Sequence, residues 1–175
     1  MGCALEPTLV LLNHSCDPSM IRVNLGTSTI AFASRNIAKG EEITDCYTYP
    51  FDITPGQERR LYLKEKYKFL CQCQACKENW PTAARLPKSF TDISHQQFKL
   101  DQNDFEEIQR KMKNVMLLGA KINQLQKTED FSGMVDLNKK FDSSLNEVIV
   151  RPHLFHVMAR RSLGTCLWVL HGNKM

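Results

Sequence analysis

The sequence predicts an α+β chain, β-rich toward its beginning and all-helical toward its end. Three observations predict it. Apolar and polar residues alternate between Met20 and Ser34, with turn signals between the runs. Beyond residue 103 apolar residues recur at spacings of three and four, the period of a helix with one buried face. Six of the seven cysteines lie between Cys3 and Cys76, so the first half carries whatever chemistry thiols perform.

The elements follow in order. Met20 to Leu25 (MIRVNL) reads as a strand, Gly26-Thr27 as a turn, and Thr29 to Ser34 as a second strand paired to the first as a hairpin. Lys39-Gly40 marks another turn, and Glu42 to Tyr49 reads as a third strand. A helix opens at Thr54-Pro55-Gly56-Gln57, with Thr54 as N-cap, Pro55 at N1 and Gln57 at the reciprocal position of a capping box. It runs to about Tyr67. After the cysteines, Trp80-Pro81 leads into a loose connector reaching about Gln102.

Asp104 then fits an N-cap, and Phe105, Ile108, Met112, Val115, Gly119 and Ile122 form a helical stripe. Phe131, Met134, Leu137, Phe141, Leu145 and Val148 repeat it to about Val150. Pro152 opens a third helix through Phe155, Met158, Ser162, Cys166 and Val169, with Gly172 as its stop. This is the pattern of stacked antiparallel helix pairs, although three helices do not establish a repeat period. The expected division is 1–53, 54–80, 81–102 and 103–175.

Composition narrows the function. Apolar residues make up 42% and charged residues 24%, enough for a packed core and against wholesale disorder. The net charge of +4 is small and scattered, which argues against direct nucleic-acid binding. No apolar run approaches the roughly 18 residues of a membrane span. Met1 to Pro7 lacks a basic stretch followed by an apolar one, so no signal peptide is expected. An odd cysteine count in a chain with its own core points to a reducing compartment, cytoplasm or nucleus, with thiols free or bound to metal.

Cys71-Gln72-Cys73-Gln74-Ala75-Cys76 is a C-x-C-x-x-C cluster. Three thiolates so close in sequence can converge on one tetrahedral Zn²⁺ without a long loop closure. A closed site needs a fourth ligand, and Cys16, Cys46, Cys3 and His14 are all candidates. Spacing does not choose among them. Cys16 is attractive because Asp17 and Pro18 fix the turn that carries it. Taken alone, His14, Tyr47, Tyr67 and Phe69 read as ordinary packing or turn residues. Cys166 reads as a small core residue, and His153 and His156 as surface packing.

Four segments change that reading. Leu12-Asn13-His14-Ser15-Cys16-Asp17-Pro18 resembles the N-H-S-C-x-P-N signature of SET-domain protein methyltransferases. Ala33-Ser34-Arg35-Asn36-Ile37 resembles the A-x-R-x-I segment of that family. Gly40-Glu41-Glu42-Ile43-Thr44-Asp45-Cys46-Tyr47 resembles its G-E-E-L-x-x-x-Y segment. Arg59-Arg60-Leu61 to Tyr67, with Phe69 to Cys76, resembles the post-SET pattern E-R-R-x-x-L-x-x-x-Y-x-F-x-C-x-C-x-x-C of the SET-and-MYND branch. Ser19 departs from the signature's usual Asn, and either residue can hydrogen-bond the turn.

The resemblance implies a protein-lysine methyltransferase using S-adenosylmethionine and a structural zinc. It implies that Asn13, His14 and Phe69 contact the cofactor, Phe69 by packing on adenine. It implies that Tyr47 and Tyr67 line the catalytic channel, and that Cys16, Cys71, Cys73 and Cys76 hold the zinc. The substrate would be a lysine-bearing protein or peptide, histone or other, acted on by a monomer with no nucleic-acid or membrane partner. In the family a glycine-rich cofactor segment and a MYND-bearing insert precede these motifs. The chain is therefore expected to be an N-terminally truncated form: the C-terminal half of a SET domain, the post-SET zinc site and part of a helical-repeat domain. The alternative is a catalytically inactive, zinc-stabilised protein-interaction module.

Overall fold

The computed structural model describes residues 6–88 and 105–172. They form two compact units, residues 6–24 with 29–85, and residues 25–28 with 86–88 and 105–172. The architecture is α+β, with strands early and long helices late. No described helix is long and apolar enough to cross a membrane. The proposed N-cap at Asp104 and most of the connector lie outside the described residues.

Strands β1 (Asn13–His14) and β4 (Thr44–Asp45) pair in parallel, Asn13 opposite Thr44 and His14 opposite Asp45. Strands β2 (Met20–Leu25) and β3 (Ser28–Ala33) form the expected hairpin, the second strand beginning one residue earlier than its sequence pattern implied. Gly26 turns it at φ +58°, a conformation glycine adopts without steric penalty. The third strand is far shorter than expected. Its ladder stops because side chains capture the next amides: Asp45 Oδ1 accepts from Cys46 N at 2.7 Å, and His14 Nδ1 accepts from Tyr47 N at 3.0 Å. Ser19 is fully buried and stitches this region. Its hydroxyl accepts from Thr44 N at 2.9 Å, and its carbonyl accepts from Ser34 N at 2.9 Å.

Helix α1 (Gly56–Tyr67) ends at Lys68, whose left-handed φ of 62° redirects the chain toward Cys71. Its start differs from the expected capping box. Pro55 is the N-cap, and no side chain caps the helix. The carbonyl of Thr54 instead accepts from the guanidinium of Arg59, one turn into the helix, so the segment before α1 is held from within. The short α2 (Gln74–Lys77) carries Cys76, and Trp80 packs edge-on against Phe51 at 5.0 Å.

The second unit contains α3 (Phe105–Lys127), α4 (Phe131–Val148) and α5 (Leu154–Gly172). Short connections make neighbouring helices antiparallel, and α4 packs against both of the others. The expected stripes form the core, with Val115, Ile122, Met134, Phe141, Leu145, Val148 and Cys166 buried. Asp130 caps α4 by accepting from Gly133 N at 2.9 Å.

Three details correct the sequence reading. Met158 is 54% exposed, because α5 buries Val157, Ala159 and Leu163 instead. His153 and His156 are buried rather than on the surface; His153 Nδ1 accepts from Phe155 N at 3.1 Å in the first turn of α5. Asn138 lies deeper in α4 than Leu137, which is only partly buried.

Leu145 is fully buried at the centre of this core. Leu145→Ala should therefore cost the helical unit about 2–5 kcal/mol, the range for emptying a buried leucine site. Urea denaturation followed by far-ultraviolet circular dichroism measures it. A loss within about 0.5 kcal/mol, the level of a surface substitution, would contradict this core.

Candidate functional site

The Sγ atoms of Cys16, Cys71, Cys73 and Cys76 all lie within 4.8 Å of one another. Cys16 Sγ and Cys76 Sγ are 3.6 Å apart, far too long for a disulfide. It is close to the edge of about 3.8 Å that a tetrahedron with 2.3 Å zinc–sulfur bonds requires. Cys16, Cys71 and Cys76 are buried and Cys73 is half-buried. The chain reaches this geometry locally at one end, where the amides of Cys76 and Lys77 both bond to Cys73 O at 3.0 Å and fold the C-x-x-C segment into a tight turn. At the other end Cys16 N donates to Cys73 Sγ at 3.4 Å.

Of the four candidates for the last ligand, Cys16 is the one in this group. Cys46 instead directs its thiol at Thr48 O, 3.4 Å away, and Cys3 lies outside the described residues. Crowding polarises the thiols. Hydrogen bonding to Cys71 pushes Cys16 up, and the hydrogen bond from Cys16 holds Cys73 far down and Cys76 at about 6. Four such sulfurs in a buried space suit a divalent cation, which ionises thiols by coordination.

His14 joins this cluster to a second one. Its Nδ1 accepts from Tyr47 N, so in the neutral ring the proton sits on Nε2, 3.3 Å from Cys16 Sγ. Burial lowers its pKa and favours that neutral form. An N–H aimed at a ligating sulfur both orients and stabilises the thiolate.

The aromatic rings of His14, Tyr47, Tyr67 and Phe69 gather beside it. The His14 ring centroid is 5.3 Å from Tyr47 and 6.0 Å from Phe69. Tyr47 lies 5.1 Å from Tyr67 and meets Phe69 edge-on at 6.4 Å. The Tyr47 hydroxyl donates to Leu12 O, and the Tyr67 hydroxyl donates to Tyr47 O at 3.3 Å. Asn13 stands at the exposed edge, its amide donating to Glu42 Oε1 at 2.6 Å. The structure thus brings together residues from β1, the segment after β4, the end of α1 and the approach to Cys71.

Sequence reasoning missed three contributors. The Leu12 carbonyl has no side-chain signal at all. Glu42 was visible only as part of a motif. Arg59 is fully buried and donates to Phe51 O at 3.4 Å as well as to Thr54 O. A charged residue on a short helix normally reads as solvated, and only its place in the E-R-R pattern pointed inward.

Purified protein should contain about one zinc per chain, the stoichiometry of a single tetrahedral site. Cys71→Ser should abolish it and unfold residues 6–85, whereas Cys46→Ser should retain it. Elemental analysis with circular dichroism reads both. Zinc retained at full occupancy by Cys71→Ser would contradict the assigned ligands.

A SET-domain family model matches residues 5–48. Histone-lysine N-methyltransferase SMYD3 of Mus musculus is 32% identical over 120 residues, 69% of this chain and 25% of the relative. Protein-lysine N-methyltransferase SMYD4 of Mus musculus is 40% identical over 89 residues, 50% of this chain and 11% of the relative. N-lysine methyltransferase SMYD2 of Homo sapiens is 25% identical over 170 residues, 97% of this chain and 37% of the relative, so that match runs through the helical unit too. The chain spans a quarter of the SMYD3 sequence and little more than a third of the SMYD2 sequence. Segment order, the four-cysteine site and these similarities agree, and the chain is a relative of the SET-and-MYND branch of the SET-domain protein methyltransferases.

Proposed function

We propose that this chain supplies half of the active site of an S-adenosylmethionine-dependent protein-lysine methyltransferase. The observation that carries the reading is the aromatic cluster. Four rings from separated segments converge within 5.1–6.4 Å of their neighbours, beside a four-cysteine site. The names of the three relatives described above, each a lysine methyltransferase, support it.

When bound, S-adenosylmethionine supplies a methyl group on a positively charged sulfonium. Asn13 and His14, adjacent on β1, and the ring of Phe69 are the residues that would hold it, Phe69 by stacking on the adenine. The acceptor lysine would enter beside Tyr47 and Tyr67, whose rings, 5.1 Å apart, would line one wall of its path. Ring faces attract cationic and sulfonium-bound groups, and apolar channel walls favour the neutral, nucleophilic amine. Tyr47 spends its hydroxyl proton on Leu12 O, which leaves its oxygen lone pairs to accept from the lysine N–H and orient the nitrogen. Zinc held by Cys16, Cys71, Cys73 and Cys76 would act by preorganisation, fixing Phe69 two residues before Cys71 and His14 two residues before Cys16. The substrate class is a lysine-bearing protein of the cytoplasm or nucleus.

A second reading, a zinc-stabilised interaction module without catalysis, is favoured by the apolar side chains this unit leaves exposed, Leu11 at 81%, Tyr49 at 63% and Leu70 at 60%.

Turnover and cofactor affinity on one lysine peptide separate the two, measured in the protein that carries this chain. Tyr47→Phe keeps the ring and loses only the hydroxyl. It should cut turnover by on the order of 10²–10³, the usual cost of removing one transition-state polar contact, while cofactor affinity changes little. Phe69→Ala should instead weaken cofactor binding. Parental turnover in Tyr47→Phe would overturn the role of Tyr47 and favour the interaction module.

A further inference from the structure

Helix α1 carries two consecutive arginines toward the four-sulfur site. Side chains at adjacent helical positions leave the axis about 100° apart, and these two reach opposite ends of the site. Arg60 donates from Nη2 to the carbonyl of Cys76, the last of the four cysteines. Arg59 donates from Nη1 to Phe51 O at 3.4 Å, and Phe51 N donates to Cys16 O at 2.9 Å. One residue therefore separates that guanidinium from the first of the four cysteines.

Hydrogen bonding does not account for Arg59. Its side chain is fully buried, and a guanidinium keeps its charge throughout the working pH range of a protein. Its bonded partners are the neutral carbonyls of Phe51 and Thr54. Nε and Nη2 have no hydrogen-bond partner among the described residues, so the buried carboxylate of Asp52 is not bonded to them. Packing closes a further side, since a Cβ on Gly56 would sit 3.7 Å from Nη2 and 3.1 Å from Asn79 Oδ1. A charge buried in this way is costly unless an opposite charge lies near.

The sulfur site has the opposite deficit. Four thiolates on one divalent cation carry about two net negative charges, and Cys16, Cys71 and Cys76 are buried. His14 faces Cys16 Sγ at 3.3 Å, but in its neutral form it brings an N–H and no charge. Charges removed from water are weakly screened and act on each other beyond contact distance.

We propose that Arg59 and Arg60 are the counter-charges of the metal site, positioning residues that stabilise its thiolates by charge as well as holding the backbone on either side. The inference rests on the zinc reading of the four cysteines. It adds that α1, the helix ending at Tyr67, helps to set the metal affinity.

Zinc affinity and cobalt spectra of the whole 175-residue chain test it. Arg59→Met and Arg60→Met remove the charge at similar length, while Arg59→Lys and Arg60→Lys keep it. Each Met variant should bind zinc about 10–100-fold more weakly, the usual cost of losing a group that supports a metal ligand, measured by competition with a chromophoric chelator. The Lys variants should recover most of that loss. Any loss of stability weakens a metal whose binding is coupled to folding, so Leu63→Ala, which empties a fully buried site on the same helix, is the control. At saturating cobalt(II) the sulfur-to-metal charge-transfer band should move to longer wavelength in the Met variants, whose thiolates hold their electrons less tightly. It should keep the parental position in the Lys variants and in Leu63→Ala. If Arg59→Met takes up no metal at saturation, the Arg60 variants decide by the same band. An unmoved band in the Met variants, or Lys variants that bind zinc no better than Met, would overturn the counter-charge role and leave the zinc site standing. A parental chain that binds no zinc would overturn both.

Discussion

The convergence of four sulfurs constrains the first unit more than any other interaction. Cys16 is separated from Cys71 by 55 positions, yet its backbone is held on both sides. Its N–H donates to Cys73 Sγ at 3.4 Å, and its carbonyl accepts from Phe51 N at 2.9 Å. Phe51 O in turn accepts from the buried Arg59 of α1. Three segments that share no regular sheet are thereby tied at one point. Only two short two-stranded pairings exist among the described residues, so the sheet alone provides little cooperative structure. A cation binding four deprotonated thiols would add the missing free energy directly to folding.

The functional reading follows from what is attached to that point. His14 bonds to the amide of Tyr47 on one side and faces Cys16 Sγ on the other, so one imidazole couples the sulfur site to the ring cluster. Phe69 and Tyr67 enter from the opposite direction, aimed by the left-handed Lys68 between them. Positioning of this kind is what a direct transfer between two bound partners requires, since the alignment of reacting atoms sets the rate.

Much of this was legible in the sequence, for reasons that differ residue by residue. The hairpin was readable because alternation and a turn glycine act over a few neighbours. The sulfur site was half readable: density in C-x-C-x-x-C announces a metal, but a ligand 55 positions away leaves no spacing signal, and Cys16 was favoured by its Asp17-Pro18 turn, with which the resemblance agreed. The third strand was overestimated because Asp45 and His14 side chains take the amides that a ladder would use. Met158 and Leu137 were read as core positions for one reason. A spacing of three or four fits two adjacent positions equally well, and packing against the neighbouring helix decides which is buried. His153 and His156 carry no such pattern, and their burial follows from how the chain enters α5.

The central claim, that Cys16 closes a four-sulfur site with the C-x-C-x-x-C segment, is tested most directly by zinc-edge X-ray absorption on the purified protein. The expected result is a single shell of four sulfurs at about 2.3 Å. A shell of three sulfurs and one nitrogen would put His14 in place of Cys16 and contradict the account.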